Sequence, residues 1–450
     1  MPQQGANSTP AAEKTPQADL VVRGGILWPG TGSPWGPGQV EIQGGLVSYA
    51  GPERPVRADE VLEAAGGLIM PGLVNAHCHL PMVLFRGLAD DLPLGEWLNK
   101  VMMPAERTWI NPETTELCAL LAAAEMLLSG TTCVAESYFC TIGSARALAK
   151  AGMRGVCAQG VIDFPAPGVP DPAGKFDACR EFVSACRELG PLVRPAIFAH
   201  SPYTCSPETL QQTAELAAEL EVPWFIHLAE TKAELVTIQK RHGTTPARHL
   251  EQLGVLASLQ AGVHGIWLDQ EELELLARRE VSLVHCPESN AKLTSGAPRV
   301  EKWLAAGVNL ALGTDGAASN NDLDMIGEMG YAARLAKLLA SDPAALPAER
   351  VMEAALEGGA RALGLSGPGA PGRLEPGRAA DLMVLELNAP HLTPLYSVAS
   401  HLAYAARGGD VRHVVVGGKL VVRDRKVLTF DLAAVMDQVQ ELARRVGARN

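Results

Sequence analysis

The middle of the chain alternates short apolar runs with longer segments of helical pattern, from about residue 71 to residue 370. Runs such as TTCVAES, RPAIFAHS, PWFIHLAE and VSLVHCPE predict buried strands, and stretches such as PETLQQTAELAAEL and QEELELLARR predict the helices between them. Repeated strand-helix alternation predicts a parallel sheet with right-handed crossovers. Over about 300 residues, a closed eight-stranded (β/α)8 barrel of the α/β class fits the length of this region.

A different pattern flanks this region on both sides. Short β-rich segments broken by glycine and proline, such as DLVVRGGILWPG, precede it, and similar segments, such as VRHVVVGGKLVVRDRKVL, follow it. Because chain ends commonly lie close together, the two sets can pair into one small β-sandwich domain. The predicted organisation is a disordered tail at 1–18, a β-sandwich domain at 19–70 plus 371–430, the barrel at 71–370 and a C-terminal helix at 431–450.

Composition narrows the class of protein and excludes several partners. The 450 residues are 47% hydrophobic and carry a formal net charge of -12 without a block of Lys and Arg, so nucleic acid is not an expected partner. The polar N-terminus MPQQGANSTPAAEKTPQ has no apolar export segment, and no apolar run is long enough to span a bilayer. We therefore expect a cytoplasmic protein that does not bind membranes. The nine cysteines form no CxxC pair, which argues against a disulfide framework or a cysteine zinc site.

Two histidines separated by one residue, His77 and His79 in VNAHCHLP, lie at the start of the predicted barrel. Alternate side chains of a strand share a face, so both imidazoles point the same way and Cys78 points the other. A surface or core histidine pair is the ordinary explanation of such a motif, and a metal site needs further ligands. The motif alone leaves both interpretations open.

Candidate ligands follow two other apolar runs. HLAET supplies His227, and LALGTDG supplies Asp315. In a barrel such positions are the carboxyl ends of strands, the rim on which active sites are built. Three neutral imidazoles and one carboxylate suit a divalent ion such as Zn²⁺, with a further position open for water. As an alternative, Asp315 could cap the N-terminus of a helix in TDGAASN.

Two more residues have the chemistry that such a metal site needs. Glu230 follows His227 by three residues, and the two meet on one side only if the chain turns helically after the histidine. A carboxylate there can shuttle protons beside a water whose pKa the metal lowers from about 15.7 to roughly 7. His264, in GVHGIW, can hold the attacking oxygen or stabilise a tetrahedral intermediate. Its alternative is a hydrogen-bonded core histidine.

The ordered set PGLVNAHCHLPMVLFRGLADDLPLGEWL, HSPYTCSPE, HLAET, LGTDGAASNN and GRLEPGRAADLMVL resembles the amidohydrolase superfamily, and within it the 5′-methylthioadenosine/S-adenosylhomocysteine deaminases and their near relatives. The resemblance covers essentially the whole chain after the N-terminal tail. It implies a distorted (β/α)8 barrel with a β-sandwich built from both termini, in agreement with the patterns above. It also implies one metal, with zinc expected and Fe²⁺ or Mn²⁺ as alternatives.

The resemblance assigns roles to individual residues. The metal ligands that it implies are His77, His79, His227 and Asp315. Glu230 becomes the proton shuttle and His264 the histidine beside the attacking water, while Glu230 and Asp315 also contact the substrate. Glu106, in MMPAERTW, matches a glutamate that accepts hydrogen bonds from ribose hydroxyls; its alternative is a solvated helix residue. His200, in AHSPYTCSPE, matches a substrate-contacting histidine; its alternative is a histidine bonded to the backbone at a strand end.

One position departs from the family. Gln159, in CAQGVIDF, stands where the best-matching deaminases often carry an arginine, and we include it among the substrate-binding candidates. The following loop FPAPGVPDPAGKFD shows no clear second arginine. Because an arginine fork is the natural partner of the homocysteine carboxylate, we expect methylthioadenosine, adenosine or 5′-deoxyadenosine to be better substrates than S-adenosylhomocysteine.

The expected function is hydrolytic deamination of such a 6-aminopurine nucleoside to the hypoxanthine nucleoside and ammonia. A related aminohydrolase or chlorohydrolase acting on guanine, a pterin or a triazine is the nearest alternative, and a non-catalytic scaffold barrel is a distant one. Glu106 discriminates between the first two, because a glutamate that binds ribose makes little sense for a bare heterocycle. The expected partner is a small-molecule nucleoside, and a homo-oligomer, either a dimer or a tetramer, is compatible with the sequence.

Overall fold

The computed structural model describes residues 16–448, which form seventeen strands and sixteen α-helices. The strands are β1 Gln17–Leu27, β2 Trp35–Gln43, β3 Leu46–Pro52, β4 Arg57–Glu63, β5 Leu68–Pro71, β6 Leu73–Cys78, β7 Thr131–Tyr138, β8 Arg154–Val161, β9 Val193–Ala199, β10 Trp224–Leu228, β11 Ala261–His264, β12 Ser282–His285, β13 Leu310–Leu312, β14 Leu382–Leu385, β15 Val411–Val416, β16 Lys419–Arg423 and β17 Lys426–Val427. The helices are α1 Leu94–Glu96, α2 Met103–Trp109, α3 Pro112–Leu128, α4 Thr141–Ala151, α5 Lys175–Arg187, α6 Pro207–Glu219, α7 Lys232–His242, α8 Pro246–Gln252, α9 Gln270–Arg278, α10 Pro287–Lys292, α11 Val300–Ala305, α12 Met325–Ala340, α13 Ala348–Ala354, α14 Glu357–Ala362, α15 Val398–Tyr404 and α16 Leu432–Gly447.

Strands β6 to β13 form one sheet of eight parallel strands in chain order, and a helical crossover joins each strand to the next. The sheet nearly closes, because the segment after β13 returns to β6. There the Asp315 N–H donates to the His77 carbonyl at 3.0 Å, and the Thr314 N–H donates to Asn75 Oδ1 at 3.1 Å. The predicted (β/α)8 barrel is therefore confirmed.

The barrel strands are buried on both faces, as expected for parallel strands covered by helices. Every residue of β6 and β7 is buried. Val74, Ala158 and Phe198 belong to an apolar cluster inside the barrel. Cys78 and Ile197 belong to a larger cluster between the strands and the helices. The polar residues near the strand ends are therefore exceptions in an otherwise apolar sheet.

The other nine strands form a separate mixed sheet from both ends of the chain, as the sequence predicted. Its order is β17-β16-β15-β14-β5-β1-β2-β3, and β4 pairs with β1. Strand β14 runs antiparallel to β5, with Leu382 opposite Pro71. An apolar cluster that includes Val22, Ile42 and Val384 belongs to this sheet alone.

The chain ends differ slightly from the predicted boundaries. Strand β1 begins at Gln17, inside the predicted tail at 1–18, and residues 1–15 of that tail lie outside the described residues. Helix α16 lies in the predicted C-terminal helix at 431–450. None of the described helices combines the length and the apolar character needed to cross a bilayer. All nine cysteines are free and buried.

Candidate active site

A cavity opens at the carboxyl ends of the barrel strands, and polar strand-end residues lie on its wall. His200 follows β9 directly, and His264 is the last residue of β11. His227 lies on β10, and Asp315 follows the end of β13 by three residues. The structure thus brings together side chains from four different strands, as the strand-end pattern of the sequence predicted.

The predicted metal ligands form one cluster in this cavity. The ligand nitrogens of His77, His79 and His227 all lie within 4.8 Å of one another. Asp315 Oδ1 lies 3.5 Å from His77 Nε2 and 3.3 Å from His79 Nε2. The four side chains therefore converge on one point, although they come from the first, fifth and last strands of the barrel.

The HCH motif lies across the end of β6. His77 is on the strand, and His79 follows its last residue, Cys78, at the start of a short 3-10 helix, Leu80–Phe85. The two imidazoles are perpendicular, with ring centroids 4.7 Å apart. Cys78 is fully buried in the cluster between the strands and the helices. The motif thus brings two nitrogen ligands to the cluster, and a packing residue separates them.

Backbone carbonyls fix the tautomers of two of these histidines. His79 Nδ1 lies 2.5 Å from the Ser137 carbonyl, and His227 Nδ1 lies 2.9 Å from the His200 carbonyl. Because a carbonyl only accepts, each Nδ1 carries the proton and each Nε2 presents a lone pair to the cluster. Such partners on the outer nitrogen are the usual support of metal-binding histidines.

The donor set fits a divalent cation. Burial lowers the pKa of His79 to about 3, and burial, with the neighbouring His77, holds the pKa of His227 well below its usual value. The imidazoles are therefore neutral near pH 7, as metal binding requires. His227 Nε2 presents its lone pair to His77 Nε2 at 3.3 Å, an approach that a cation between them would stabilise.

Asp315 is held in one orientation by its surroundings. Its carboxylate accepts hydrogen bonds from the Gly316 N–H at 2.8 Å on Oδ1 and from Ser289 Oγ at 2.7 Å on Oδ2. Burial raises its pKa, but His77 and His79 outweigh that effect, and the net pKa lies well below the usual value. Its backbone has φ +61°, and the next helix, α12, has Asp324 as its N-cap, so the helix-capping alternative does not describe Asp315. Asp315 is therefore an ionised carboxylate that faces the histidines.

A glycine allows this close approach of β13 to β6. A Cβ atom on Gly313 would lie 2.7 Å from the His77 backbone nitrogen and 2.8 Å from its carbonyl oxygen. Any side chain there would push the two backbones apart. The distance between Asp315 and the HCH motif therefore depends on this glycine.

Glu230 turns into the cavity beside the histidines. Strand β10 ends at Leu228, and the next residue, Ala229, has φ +50°, which breaks the strand alternation. Glu230 therefore lies on the same side as His227 and lines the cavity. Ser295 Oγ donates to Glu230 Oε1 at 3.2 Å. Burial raises the pKa of Glu230, so this carboxyl group can hold a proton at a higher pH than an exposed glutamate.

His264 faces Glu230 across the cavity, with Nε2 3.9 Å from Glu230 Oε2. Its other nitrogen, Nδ1, lies 2.8 Å from Asn290 Oδ1. The side chain is 2% exposed and lines the cavity. His264 therefore combines both predicted alternatives: one nitrogen is hydrogen-bonded within the protein, and the other is directed toward the site.

Glu106 is a buried cavity residue, so the solvated-helix alternative is wrong. It lies on α2 and is 7% exposed. The Tyr138 hydroxyl donates to Glu106 Oε1 at 2.6 Å. Burial raises the pKa of Glu106 to about 7, although the hydrogen bond from Tyr138 lowers it. The second oxygen, Oε2, is left for another donor.

His200 also lines the cavity, and its side chain does not bond to the backbone as the alternative supposed. Its Nδ1 lies 3.0 Å from Thr204 Oγ1. Burial lowers the pKa of His200 to about 4, so the ring is neutral. His200 therefore has two effects at the site: its ring forms part of the wall, and its carbonyl orients His227.

The structure does not bring Gln159 to the cavity, which corrects its inclusion among the substrate-binding residues. Its neighbours Ala158 and Gly160 face the barrel interior, and Gly160 lines the cavity. Alternation along β8 directs Gln159 the other way, where its Oε1 accepts a hydrogen bond from the Thr141 N–H at 3.3 Å. Gln159 therefore contacts the start of α4 and is not among the residues that line the cavity.

Several cavity residues were not predicted. Tyr138, Phe198 and Tyr203 line the wall, and Phe198 stacks on His77 with ring centroids 5.8 Å apart. Arg107 also lines the cavity and is the single Lys or Arg that does so among residues 16–448. The only sequence signal for Tyr138 and Phe198 is an aromatic residue at or near the carboxyl end of a predicted strand.

Comparison with known proteins identifies relatives over almost the whole chain. A family model described as the amidohydrolase family matches residues 68–421. A 5-methylthioadenosine/S-adenosylhomocysteine deaminase of Syntrophobacter fumaroxidans is 43% identical over 436 residues, which cover 96% of this chain and 99% of that protein. A 5′-deoxyadenosine deaminase of Methanothermobacter thermautotrophicus is 41% identical over 390 residues, which cover 86% of this chain and 90% of that protein.

A solved structure has the same fold. An adenosine deaminase of Xanthomonas campestris with bound zinc matches with a TM-score of 0.93 and 36% sequence identity. The match covers 96% of this chain and 99% of that one.

Proposed function

The chain belongs to the amidohydrolase family, and from this premise we propose that it deaminates a 6-aminopurine nucleoside by hydrolysis, giving the hypoxanthine nucleoside and ammonia. The observation that carries the proposal is the position of Glu230 and His264, which face each other at 3.9 Å beside the histidine cluster. The relatives named as deaminases of methylthioadenosine, S-adenosylhomocysteine and 5′-deoxyadenosine support a substrate of this class.

The site would hold one divalent metal, and we propose zinc. The residues that would bind it are His77, His79, His227 and Asp315. The neutral imidazoles and the ionised carboxylate support this choice, as does the zinc bound to the related adenosine deaminase. When bound, the metal would supply Lewis-acid chemistry that lowers the pKa of water from about 15.7 to roughly 7.

The proton transfers fall to two carboxyl groups. Asp315, which faces the histidine nitrogens, takes a proton from the attacking water as the oxygen adds to C6 of the ring. Glu230 gives its proton to ring N1, which makes C6 more electrophilic. Asp315 then gives its proton to the C6 amino group, which leaves as ammonia, while the C6 hydroxyl returns a proton to Glu230, so one water is consumed for each ammonia released and both carboxyl groups regain their starting states.

His264 orients the attacking oxygen. Its Nδ1 is engaged with Asn290, so its Nε2 is the atom available at the cavity. There it hydrogen-bonds the oxygen that adds to C6 and continues to hold it in the tetrahedral intermediate. Because Asn290 Oδ1 accepts from Nδ1–H, the Nε2 lone pair accepts a hydrogen bond from the O–H of the attacking water and holds this oxygen in place without reorganising during the reaction.

Glu106 binds the sugar. Its Oε2 is left available at the cavity beside the Tyr138 hydrogen bond on Oε1, and ribose hydroxyls are donors of the right kind. A pocket built to hydrogen-bond a substrate hydroxyl rejects analogues that lack it, because the buried carboxylate is then unpaired. Glu106 therefore favours a nucleoside over guanine, a pterin or a triazine.

We also propose that a neutral 5′ substituent is preferred. Much of the wall is apolar, with Trp97, Leu98, Met103 and Phe164 among its residues. Arg107 stands alone as a cation on the wall within the described residues, so a homocysteine carboxylate finds no pair of arginines there. Methylthioadenosine, adenosine and 5′-deoxyadenosine are therefore the expected substrates, ahead of S-adenosylhomocysteine.

One experiment tests these points together. The purified protein is analysed for zinc, iron and manganese and is then assayed by the absorbance change from adenine to hypoxanthine. The panel is methylthioadenosine, adenosine, 5′-deoxyadenosine, 2′-deoxyadenosine and S-adenosylhomocysteine. We expect turnover of the first three and a lower kcat/KM for the last two. Absence of turnover on every nucleoside, with release of ammonia from guanine or a pterin, would contradict the proposal.

Assembly and location complete the proposal. We also propose that the protein forms a homo-oligomer, either a dimer or a tetramer. Light scattering of the purified protein measures the mass of the assembly directly.

A cytoplasmic location is proposed because nine buried free thiols suit a reducing compartment.

A further inference from the structure

The first turn of α7 contains a buried carboxyl group that no role at the cavity explains. Glu234 lies in the first turn of α7 and is only 2% exposed. Burying a carboxylate is costly unless its oxygens are hydrogen-bonded. Its surroundings therefore show what it contributes to the protein.

Both oxygens of Glu234 accept hydrogen bonds from the backbone of the turn that precedes it. The Ala229 N–H donates to Oε1 at 2.9 Å, and the Glu230 N–H donates to Oε2 at 2.9 Å. The Glu234 N–H in turn donates to the side chain of Thr231, the N-cap of α7, at 3.1 Å. The carboxylate is thus fixed by its own helix and holds two consecutive amides.

These two amides are the ones that set the direction of Glu230. Ala229 has φ +50°, a left-handed conformation that alanine rarely adopts. Its carbonyl accepts a hydrogen bond from the Trp267 N–H at 3.0 Å, so both of its backbone polar groups are held. If Ala229 relaxed to an extended conformation, strand alternation would carry Glu230 to the side opposite His227.

From this geometry we propose that Glu234 is a positioning residue, which holds the left-handed turn at Ala229 and thereby keeps Glu230 directed at the substrate ring. The inference rests on the proton-transfer role proposed above for Glu230. Two hydrogen bonds from consecutive amides to one buried carboxyl group hold the turn more firmly than a single acceptor oxygen can. A proton donor must stay within hydrogen-bond reach of the atom it protonates, so a small displacement of Glu230 lowers the rate of the chemical step.

Glu234→Gln tests the proposal with almost no change in size. A glutamine can accept from one of the two amides, but its NH₂ group faces the other N–H and repels it. We expect kcat to fall at least tenfold with KM within about threefold, because Glu106 and His200 bind the substrate elsewhere. The metal content should be unchanged.

Glu272→Gln is the matched control. Glu272 is also a buried glutamate near the start of a helix, 1% exposed, and accepts from the Asp269 N–H at 3.0 Å. It lies on α9 and does not line the cavity. Both variants are checked by circular dichroism and thermal unfolding. We expect the control to keep kcat within twofold, even if its unfolding temperature falls as far as that of Glu234→Gln.

A double variant separates positioning from general damage. In the Glu230→Gln variant, residue 230 has no proton to give to the substrate ring, so its exact position matters little for the reaction. Adding Glu234→Gln to this variant should therefore lower kcat less than twofold further. A full tenfold additional loss, a loss confined to KM, or a kcat of Glu234→Gln within twofold of the unaltered protein would overturn the proposal.

Amide hydrogen exchange provides a readout that does not depend on turnover. The peptide that contains Ala229 and Glu230 should exchange at least tenfold faster in Glu234→Gln than in the unaltered protein or in Glu272→Gln. If the unaltered protein deaminates no nucleoside, the proposed function fails, and this measurement still decides whether Glu234 holds the turn. Equal exchange rates of this peptide in all three proteins would show that Glu234 does not hold the turn.

Discussion

His77 Nε2 and His227 Nε2 face each other at 3.3 Å, while the second nitrogen of His227 is committed to the His200 carbonyl. The His227 nitrogen in the cluster therefore offers a lone pair and no proton. In the metal-free protein His77 Nε2 can satisfy this lone pair by donating a hydrogen bond to it, and a bound cation would replace that proton. Bound metal and folded structure should therefore depend on each other in this protein.

Removal of the metal should destabilise the protein as well as inactivate it. A ligand that binds only the folded state raises its stability by about 4 kcal/mol at a concentration 1,000 times its Kd. We expect dialysis against a chelator to lower the unfolding temperature by several degrees, and stoichiometric zinc to restore both temperature and activity. Calorimetry with metal analysis measures this. An unfolding temperature that is the same with and without metal would count against the site.

The HCH motif should separate into ligands and a packing residue on mutation. His77→Ala removes a nitrogen from the cluster and should abolish tight metal binding. Cys78→Ala removes a buried sulfur from the cluster between strands and helices, so it should cost about 1 to 2 kcal/mol of stability and leave metal content near that of the unaltered protein. Metal analysis of the two variants, prepared in parallel, shows which of the two side chains binds the metal. Loss of metal in Cys78→Ala would show that the thiol is a ligand.

Glu230→Gln should retain the metal and lose the reaction. Glutamine keeps the size of the side chain but cannot give a proton to ring N1. General acid-base groups contribute about 10²- to 10⁴-fold, and we expect kcat to fall by about 10³-fold with KM little changed. Steady-state kinetics and metal analysis on the same preparation measure both. Turnover near that of the unaltered protein would refute the assigned role.

Glu106 should make the stability of the protein depend on pH. Its pKa is about 7 in the folded protein against 4.5 ordinarily, so between these values unfolding releases a proton and the free energy of unfolding falls as pH rises. Protonated Glu106 contributes about 3 kcal/mol to the free energy of unfolding at low pH, and this contribution is lost as the pH rises through about 7. Glu106→Gln has no such proton, so relative to the unaltered protein it should be more stable at pH 8 than at pH 5. Urea unfolding at the two pH values measures the difference; a constant difference would contradict the prediction.

Arg107 should matter only for substrates that carry a carboxylate at the 5′ end. Its guanidinium is exposed at the cavity wall. Arg107→Gln should lower kcat/KM for S-adenosylhomocysteine by about three- to tenfold, the effect of losing one partly screened ion pair, and leave methylthioadenosine within twofold. A comparison of kcat/KM for the two substrates tests this. Equal effects on both would indicate a role for Arg107 in folding or in sugar binding.

The barrel could be predicted from local patterns and one general rule, and the metal ligands from the same rule together with the resemblance to the amidohydrolases. Short apolar runs that end in His or Asp, such as the run before His227, are visible in the sequence, and carboxyl ends of parallel strands meet on one rim. This rule predicts that Asp315 and His77 lie close together, although about 240 residues separate them in the sequence. The expectations for these side chains therefore required no knowledge of the loops.

The orientation of Gln159 and the position of Glu234 depend on information that the sequence carries weakly. Strand β8 is buried on both faces, so apolar residues do not alternate with polar ones and the inward face cannot be identified from the pattern. Glu234 matches an ordinary first-turn helix residue, and only the left-handed turn at Ala229 shows what it binds. The hydrogen bond between Tyr138, at the end of β7, and Glu106, on α2, is a tertiary contact that no local pattern indicates.

The pairing of β5 with β14 has a consequence for biosynthesis. Strand β5 ends at Pro71, two residues before the barrel begins, yet its partner around Leu382 leaves the ribosome about 300 residues later. A nascent chain can therefore assemble its barrel while an edge of the N-terminal strands still lacks its neighbour. Translation past Leu382 ends that interval, and a transcript truncated before this point would yield a chain with an unprotected strand edge, prone to association with other chains.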